Sequence, residues 1–526
     1  MTVVLVVVFG LLIAAQWLRV PYPILLVVGG VAIAAIPGIP EVELDPDLVL
    51  LVMLPPLLYA AAFVTPLREL RRNIRTISLL AVGLVLATMV MVALVAHEAL
   101  DFGWAEAFVL GAIVSPTDPV SATAIMRRLN IPGRKITILE GEALINDSTA
   151  LVAYKFAVAA VVTGSFSLAD ASADFVLNVA GGIGIGIAIG AVVAAVRSRL
   201  DNPPVEIAIA LFTAYLAYLP AEAAGVSGVV AAVTVGVYIG RQTSRLTTPT
   251  TRIQGMAVWE IVVFVLNSAL FVLVGLQLPS VVDGIDGIAT GELLGDAALI
   301  AATVILVRIA WVFPLAYAPR LLFRRRRGED PWPSWRTTLL VAWAGMRGAV
   351  TLAAALAIPL TIDAGGPFPN RDLIIFLAFG VILATLLLQG LTLAPLIKLL
   401  GIDDAGDDFE QEEVDARLRA AEAALDRLDE LAAEEWALDD TVDRVRGAYT
   451  YRQRRFSART GDFDGGIDGD GIDYETRSEA YQRLVRELLD TQRAALLDLR
   501  DSGAINDDVL RRIERELDLE DSRLEI

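Results

Sequence analysis

Apolar residues run in long blocks over the first four hundred or so positions. Polar residues are mostly confined to short gaps between the blocks. Blocks of helical length fall at about 2–18, 22–37, 47–64, 76–97, 104–127, 135–163, 173–197, 204–220, 225–240, 257–278, 293–322, 336–360 and 371–400. A helix needs roughly 20 apolar residues to cross a bilayer core, so the pattern predicts about thirteen spans. The gaps alternate in charge. "TPLRELRRNIR", "RRLNIPGRK", "RSR" at 197–199, "RQTSRLTTPTTR" and "RLLFRRRRG" are basic. The gaps between them, "GIPEVELDP", "SLADASAD", "PAEAAG" and "DGIDG", are acidic or neutral. Basic loops stay in the cytoplasm. The loop with Arg19 is then cytoplasmic, the N-terminus outside and the end of the membrane region inside. The opening apolar run has no charged leading region and no small-residue cleavage site, so it reads as a first span and not as a removed signal.

Beyond residue 402 the pattern changes. "EEVDARLRAAEAALDRLDELAAEEWALDD" and "YETRSEAYQRLVRELLDTQRAALLDLRDSG" have the spacing of charged amphipathic helices. Between them, "GDFDGGIDGDGID" satisfies no frame of a calcium loop and reads as a flexible acidic connector. Residues 403–526 carry 36 acidic side chains against 18 arginines, which accounts for −18 of the chain's net charge of −19. Two parts follow: a near-neutral transmembrane domain at 1–402 and an acidic, mostly helical cytoplasmic tail at 403–526. The tail's charge argues against nucleic acid. It suits regulation by a ligand or partner that the sequence does not name. Over 526 residues, 56% are hydrophobic and mean hydropathy is +0.61, as expected of a polytopic membrane protein. The absence of cysteine excludes disulfides and thiolate metal sites. The one histidine, His97, stands beside Glu98 near Asp101 at a predicted helix end and reads as interfacial.

Ionisable groups inside a bilayer are costly, so each is a functional candidate. Asp118 lies in the fifth span, Glu142 and Asp147 in the sixth, Arg308 in the eleventh and Arg347 in the twelfth. Glu260 lies nearer a span end and reads as interfacial. Glu142 and Arg308 would each be prohibitive alone, which favours a mutually neutralising structural pair. Asp147 follows Asn146 and precedes Ser148 and Thr149. Carboxylate, amide and hydroxyl oxygens together suit a hard cation.

Two spans are interrupted. "SPTDP" places Pro116 and Pro119 around Thr117 and Asp118, and each proline removes a backbone donor. Ser115 and Thr117 can re-satisfy the freed carbonyls. "AGMRG" sets two glycines around Met346 and Arg347. Breaks seven spans apart are what an inverted repeat of spans 1–6 and 8–13 produces. Broken helices expose positive N-termini and negative C-termini at mid-membrane, which Asp118 and Arg347 can neutralise. The break also exposes carbonyls and the Thr117 hydroxyl to a cation held by Asp147.

With "SPTDPVSATAI", "EGEALINDSTALV", "FVLNSALFVLVGLQL" and "AGMRGAVTLAAAL" in this order, residues 1–400 resemble the sodium/proton exchangers of the cation:proton antiporter family, monovalent cation:proton antiporter-1 type. The resemblance implies a homodimer with a dimerisation domain and a mobile six-helix core, the two broken helices crossing within it. It implies that Asn146 and Asp147 form the ion site, that Thr117 and Asp118 belong to the first crossed helix, and that Glu142 pairs with Arg308. Ala60 and Ala143 depart from members that carry an acid or a hydroxyl there, which bears on selectivity among Na+, Li+ and K+. The expected function is electroneutral exchange of Na+ or Li+ for H+ across the plasma membrane, serving pH and sodium homeostasis, with no enzymatic step and no cofactor. A K+/H+ exchanger on the same scaffold is the first alternative. A channel has no filter motif in its favour, and an aspartyl hydrolase lacks a second catalytic motif.

Overall fold

A computed structural model describes the chain except residues 1–9, 11–21, 35, 37–47, 66–73, 120–121, 124, 127–128, 130–132, 165–167, 284, 286–288, 323–333, 402–406, 435, 460–473, 503, 505–506 and 525–526. The expected first span with Arg19, most of the loops "GIPEVELDP", "TPLRELRRNIR" and "RLLFRRRRG", and the acidic connector lie outside the described residues.

Apart from one bridge between Thr361 and Pro367, the regular elements among the described residues are helical. They are α1 (Tyr22–Ala34), α2 (Leu54–Val64), α3 (Ile74–Leu100), α4 (Trp104–Val114), α5 (Gly133–Thr163), α6 (Leu168–Arg197), α7 (Pro203–Ala223), α8 (Gly228–Leu246), α9 (Pro249–Asp283), α10 (Thr290–Leu322), α11 (Trp335–Trp343), α12 (Ala349–Leu356) and α13 (Arg371–Leu400). Seven of these, α3, α5, α6, α7, α9, α10 and α13, contain stretches long and apolar enough to cross a membrane. Each falls on a segment that hydropathy marks as a span. Leu86, Leu94, Val176, Ile183, Ile261, Val265 and Leu306 are exposed on them, as side chains facing hydrocarbon must be.

Local chemistry sets the ends. Asn202 caps α7, its Oδ1 accepting the Val205 N–H at 3.4 Å, and Pro203 and Pro204 open the helix where a missing N–H costs nothing. Ser227 caps α8 by accepting the Val230 N–H at 3.3 Å. Helices in a bilayer gain little from burying apolar surface against each other, so close packing of small residues joins them. Between α1 and α9 the backbones touch. A Cβ on Gly30 would lie 2.4 Å from the Val272 carbonyl oxygen, and one on Gly275 would lie 2.2 Å from that of Val27.

Buried apolar side chains form two main clusters. The larger takes its members chiefly from α1, α3, α4, α5 and α9–α13. The second comprises Tyr59 and Ala60 of α2, Val193 and Ala194 of α6, Ala214, Ala217 and Ala221 of α7, Ala231, Val235 and Ile239 of α8, and Trp259 of α9.

Both interruptions are present. α4 stops at Val114, residues 116–119 are non-helical, and Ala122 and Thr123 are helical again. α11 stops at Trp343 and α12 begins at Ala349. The breaks meet, because the Asp118 N–H donates to the Met346 carbonyl at 2.8 Å.

Contacts divide the chain into two compact units, Met1–Asp404 and Ala405–Ile526. The second holds α14 (Asp407–Leu431), α15 (Asp439–Arg459), α16 (Tyr474–Asp501) and α17 (Asp507–Leu524). The first amphipathic stretch therefore stops short of its expected end. Asp439 and Asp440 sit in the first turn of α15, where the positive helix end favours them. α15 and α17 escape the hydropathy reading because both are strongly polar. In α17, Leu510, Ile513 and Leu517 form an apolar stripe, and Arg493 of α16 ties α17 down through Asp518 and Asp521, at 3.0 Å each.

Candidate functional site

Arg308 of α10 is wholly buried, and an unpaired guanidinium there would be prohibitive. Its Nη1 donates to Glu142 Oε1 and its Nη2 to Glu142 Oε2, the latter at 2.9 Å. Nε and Nη2 also donate to the Val341 carbonyl, at 3.4 and 3.2 Å. One side chain thus joins α5, α10 and α11. Gly345 makes room for it, since a Cβ there would lie 2.3 Å from Arg308 Cδ.

From Glu142 a chain of hydrogen bonds runs to the Asn146–Asp147 pair. An ionised carboxylate only accepts, so the Thr117 hydroxyl donates to Glu142 Oε1, at 3.3 Å. With its single proton committed, Thr117 accepts from Asn146 Nδ2, at 2.7 Å. That fixes the amide, with its NH2 on Thr117 and Oδ1 on the other side. Asn146 is 1% exposed, and its Oδ1 has no hydrogen-bond partner among the described residues. A buried acceptor without a donor costs free energy unless something electropositive meets it. Asp147 is next in sequence and half-buried. Ser115 caps its own broken helix, donating to the Ala112 carbonyl at 2.9 Å. Thr117, expected to do the same, gives its proton to Glu142 instead because a carboxylate is the stronger acceptor.

The charges at the break face helix ends. Arg347 Nε donates to the carbonyl of Val114, the last residue of α4, at 3.1 Å, and its Nη1 donates to the Gly345 carbonyl just beyond α11. Its backbone N–H donates to Thr385 Oγ1 of α13 at 3.1 Å. Arg347 thus sits at two negative helix ends. The Asp118 carboxylate lies against Gly348, the residue that precedes α12, where a Cβ would come 1.9 Å from Oδ2. That is the positive end of α12. Gly348→Ala is therefore expected to displace Asp118 and cost about 1–3 kcal/mol of stability. Parental melting temperature and parental ion exchange in that variant would show that the carboxylate does not need this place.

Other sequence candidates lie elsewhere. Ala60 packs in the second apolar cluster, Ala143 is buried beside Glu142, and Glu260 is exposed. His97 Nδ1 is 2.7 Å from the Phe102 carbonyl oxygen, and its ring lies 4.2 Å from that of Trp104. Two ion pairs escaped the sequence reading. Arg197 and Glu206 approach to 3.8 Å, both buried, with Thr251 donating to Glu206 at 3.3 Å. Lys155 Nζ bonds both oxygens of Glu222, at 2.9 Å each. Arg197, Glu206 and Glu222 lie near span ends, where a solvated charge is the ordinary expectation, whereas Lys155 lies about two turns inside the end of α5.

The model of the sodium/hydrogen exchanger transmembrane family matches residues 3–399. An uncharacterized Na+/H+ exchanger of Mycobacterium tuberculosis H37Rv is 37% identical over 96% of this chain and 92% of its own length. A sodium, potassium, lithium and rubidium/H+ antiporter of Bacillus subtilis is 37% identical over 71% of this chain and 57% of its own. Among solved structures, the sodium proton antiporter MjNhaP1 of Methanocaldococcus jannaschii superposes with a TM-score of 0.62 at 21% identity. The match covers 76% of this chain and 97% of that one, and shows a shared fold. The two interrupted helices thus occur in a fold that a solved antiporter shares, and the match over almost the whole membrane region places this chain in the sodium/hydrogen exchanger family.

Proposed function

We propose that the chain is a secondary active antiporter that exchanges cytoplasmic Na+ or Li+ for external H+ at Asp147, one for one. The observation that carries this is the amide of Asn146. Hydrogen-bond directions running from Arg308 through Glu142 and Thr117 leave its Oδ1 as a buried acceptor, on the residue that precedes Asp147 in sequence. Oxygen donors of that kind suit a hard monovalent cation. Protonation of Asp147 releases the cation, and deprotonation readmits it. Asp118 and Arg347 compensate the helix ends, and Glu142 with Arg308 holds α5 against α10. Belonging to the exchanger family supports cation/proton exchange as the reaction class.

The finer architecture belongs to the same reading: about thirteen spans in two inverted repeats, a homodimer in the plasma membrane, the N-terminus outside, and the tail from 403 in the cytoplasm, open to a regulatory ligand or partner. The alternation of basic and acidic loops supports the orientation. A K+/H+ exchanger is the second reading, favoured by the potassium and rubidium in the name of the Bacillus subtilis relative. Proton flux in proteoliposomes, driven by Na+, Li+ and K+ in turn, separates the two. Flux with K+ alone would replace the first reading, and no flux with any of them would refute exchange.

One titrating carboxylate implies electroneutral transport. Glu142 is committed to Arg308 and Asp118 lies at a helix end, which leaves Asp147 to carry one Na+ one way and one H+ the other. A membrane potential supplies about 2.3 kcal/mol per charge per 100 mV and does no work on such a cycle. Exchange under a valinomycin-clamped K+ potential is expected to be independent of that potential. A rate or end point that follows it would make Asp118 the second proton carrier.

A further inference from the structure

Alternating access moves one packed body against another around a fixed ion site, and any bond between the bodies must break on the way. α5 carries Asp147 and contributes Leu139, Leu151, Tyr154 and Ala157 to the larger apolar cluster. α6, α7 and α8 supply most of the second cluster. Tyr218 of α7 and Val229 and Ala232 of α8 reach into the larger cluster, so the two clusters meet beside Glu222, and at that seam the Lys155–Glu222 ion pair joins α5 to α7. Glu222 is built in on its own side. Its Oε1 also accepts the backbone N–H of Gly228 at 3.0 Å, in the first turn of α8, where the positive helix end suits a carboxylate. Lys155 reaches it from outside on a flexible stem. It stands eight residues beyond Asp147 on the same helix, about 12 Å along the axis. The pair lies at the far end of α7 from Arg197 and Glu206, and so on the face opposite the basic loops.

We propose that Lys155 and Glu222 form an ionic latch that holds the Asp147 helix against α7 and α8 in the conformation described, and that opens once in each transport cycle. The proposal rests on the exchange reading above. Side-chain exposures of 53% and 30% leave the pair screened by water, so it shifts the balance between two conformations by no more than about fivefold. A bond of that strength biases a moving joint without locking it. The buried Glu142–Arg308 pair cannot play this part, because it lies wholly within the larger cluster's helices.

The chain has no cysteine, so Lys155→Cys with Glu222→Cys puts the only two thiols at the joint. A reducible bifunctional methanethiosulfonate, with a spacer matching the side chains replaced, links them in the purified full-length protein in proteoliposomes. Linkage is scored by mass spectrometry. The linked protein is expected to lose at least about tenfold of its Na+-driven proton flux and to regain it on reduction, while each single-cysteine variant keeps its flux in the same reagent. Fully linked protein that exchanges at the unlinked rate would overturn the latch. Absence of flux in the parent, with Na+, Li+ and K+ alike, would instead overturn the exchange reading. Lys155→Gln, with no cross-link, gives a second measurement. The half-saturating cation concentration should rise on one side of the membrane and fall on the other, by up to about fivefold. A change of the same sign on both sides, or none, would mean the pair is only structural.

Discussion

Asp147→Asn is expected to yield a folded, membrane-inserted protein that exchanges no cation for protons. Asparagine keeps the size of the side chain and an oxygen donor but cannot cycle a proton, so any cation that enters has nothing to displace it. Flux should fall to the level of protein-free vesicles with Na+, Li+ and K+ alike. A binding readout separates this from a structural defect. A cation that binds only the folded protein stabilises it by about 2.7 kcal/mol at a hundred times its dissociation constant. Detergent-solubilised parent should therefore melt higher in saturating Na+ than in an inert organic cation. Lowering the pH should erase that difference, because protons and Na+ compete for one carboxylate. The variant should show neither effect while melting close to the cation-free parent. Retained Na+-driven flux in Asp147→Asn would sink the assignment, whatever the melting curves show.

Some of this site is legible in the sequence alone. The meeting of Glu142 with Arg308 follows from cost, since neither charge is tolerable in hydrocarbon without the other, although 166 residues separate them. The interruptions follow from Pro116, Pro119, Gly345 and Gly348. The approximate limits of α5, α6, α7 and α13 follow from hydropathy. The orientation of the Asn146 amide does not, because it depends on which way protons point along a chain through Glu142 and Thr117, and those partners meet only in three dimensions. Lys155 with Glu222, and Arg197 with Glu206, are hidden for a different reason. Arg197, Glu206 and Glu222 stand near span ends, where water can satisfy a charge, and the Lys155 side chain is itself exposed, so no partner is demanded. In the tail, nearly all of α15 lies beyond the end of the first amphipathic stretch, where the strongly polar run from Asp439 to Arg459 offers little apolar periodicity to read.

Removing either partner of the Glu142–Arg308 pair is expected to cost about 3–5 kcal/mol, because it leaves an uncompensated charge in an almost fully buried place. Glu142→Gln and Arg308→Met should each lower the melting temperature by several degrees. The pair buries two ions, and their mutual attraction offsets a large desolvation cost. Replacing both removes that cost as well. The double variant should accordingly melt within about 1 kcal/mol of the parent, far above the sum of the single losses. Its transport need not recover. In the parent the ionised Glu142 forces Thr117 to donate, which in turn aims the Asn146 oxygen away from Thr117. A neutral glutamine can donate as well as accept, so that direction is no longer imposed. The expected signature is recovered stability with a raised half-saturating Na+ concentration. Single variants that melt like the parent would show that the pair does not hold α5 to α10. A double variant that recovers both stability and parental Na+ affinity would show that the carboxylate does not orient Asn146.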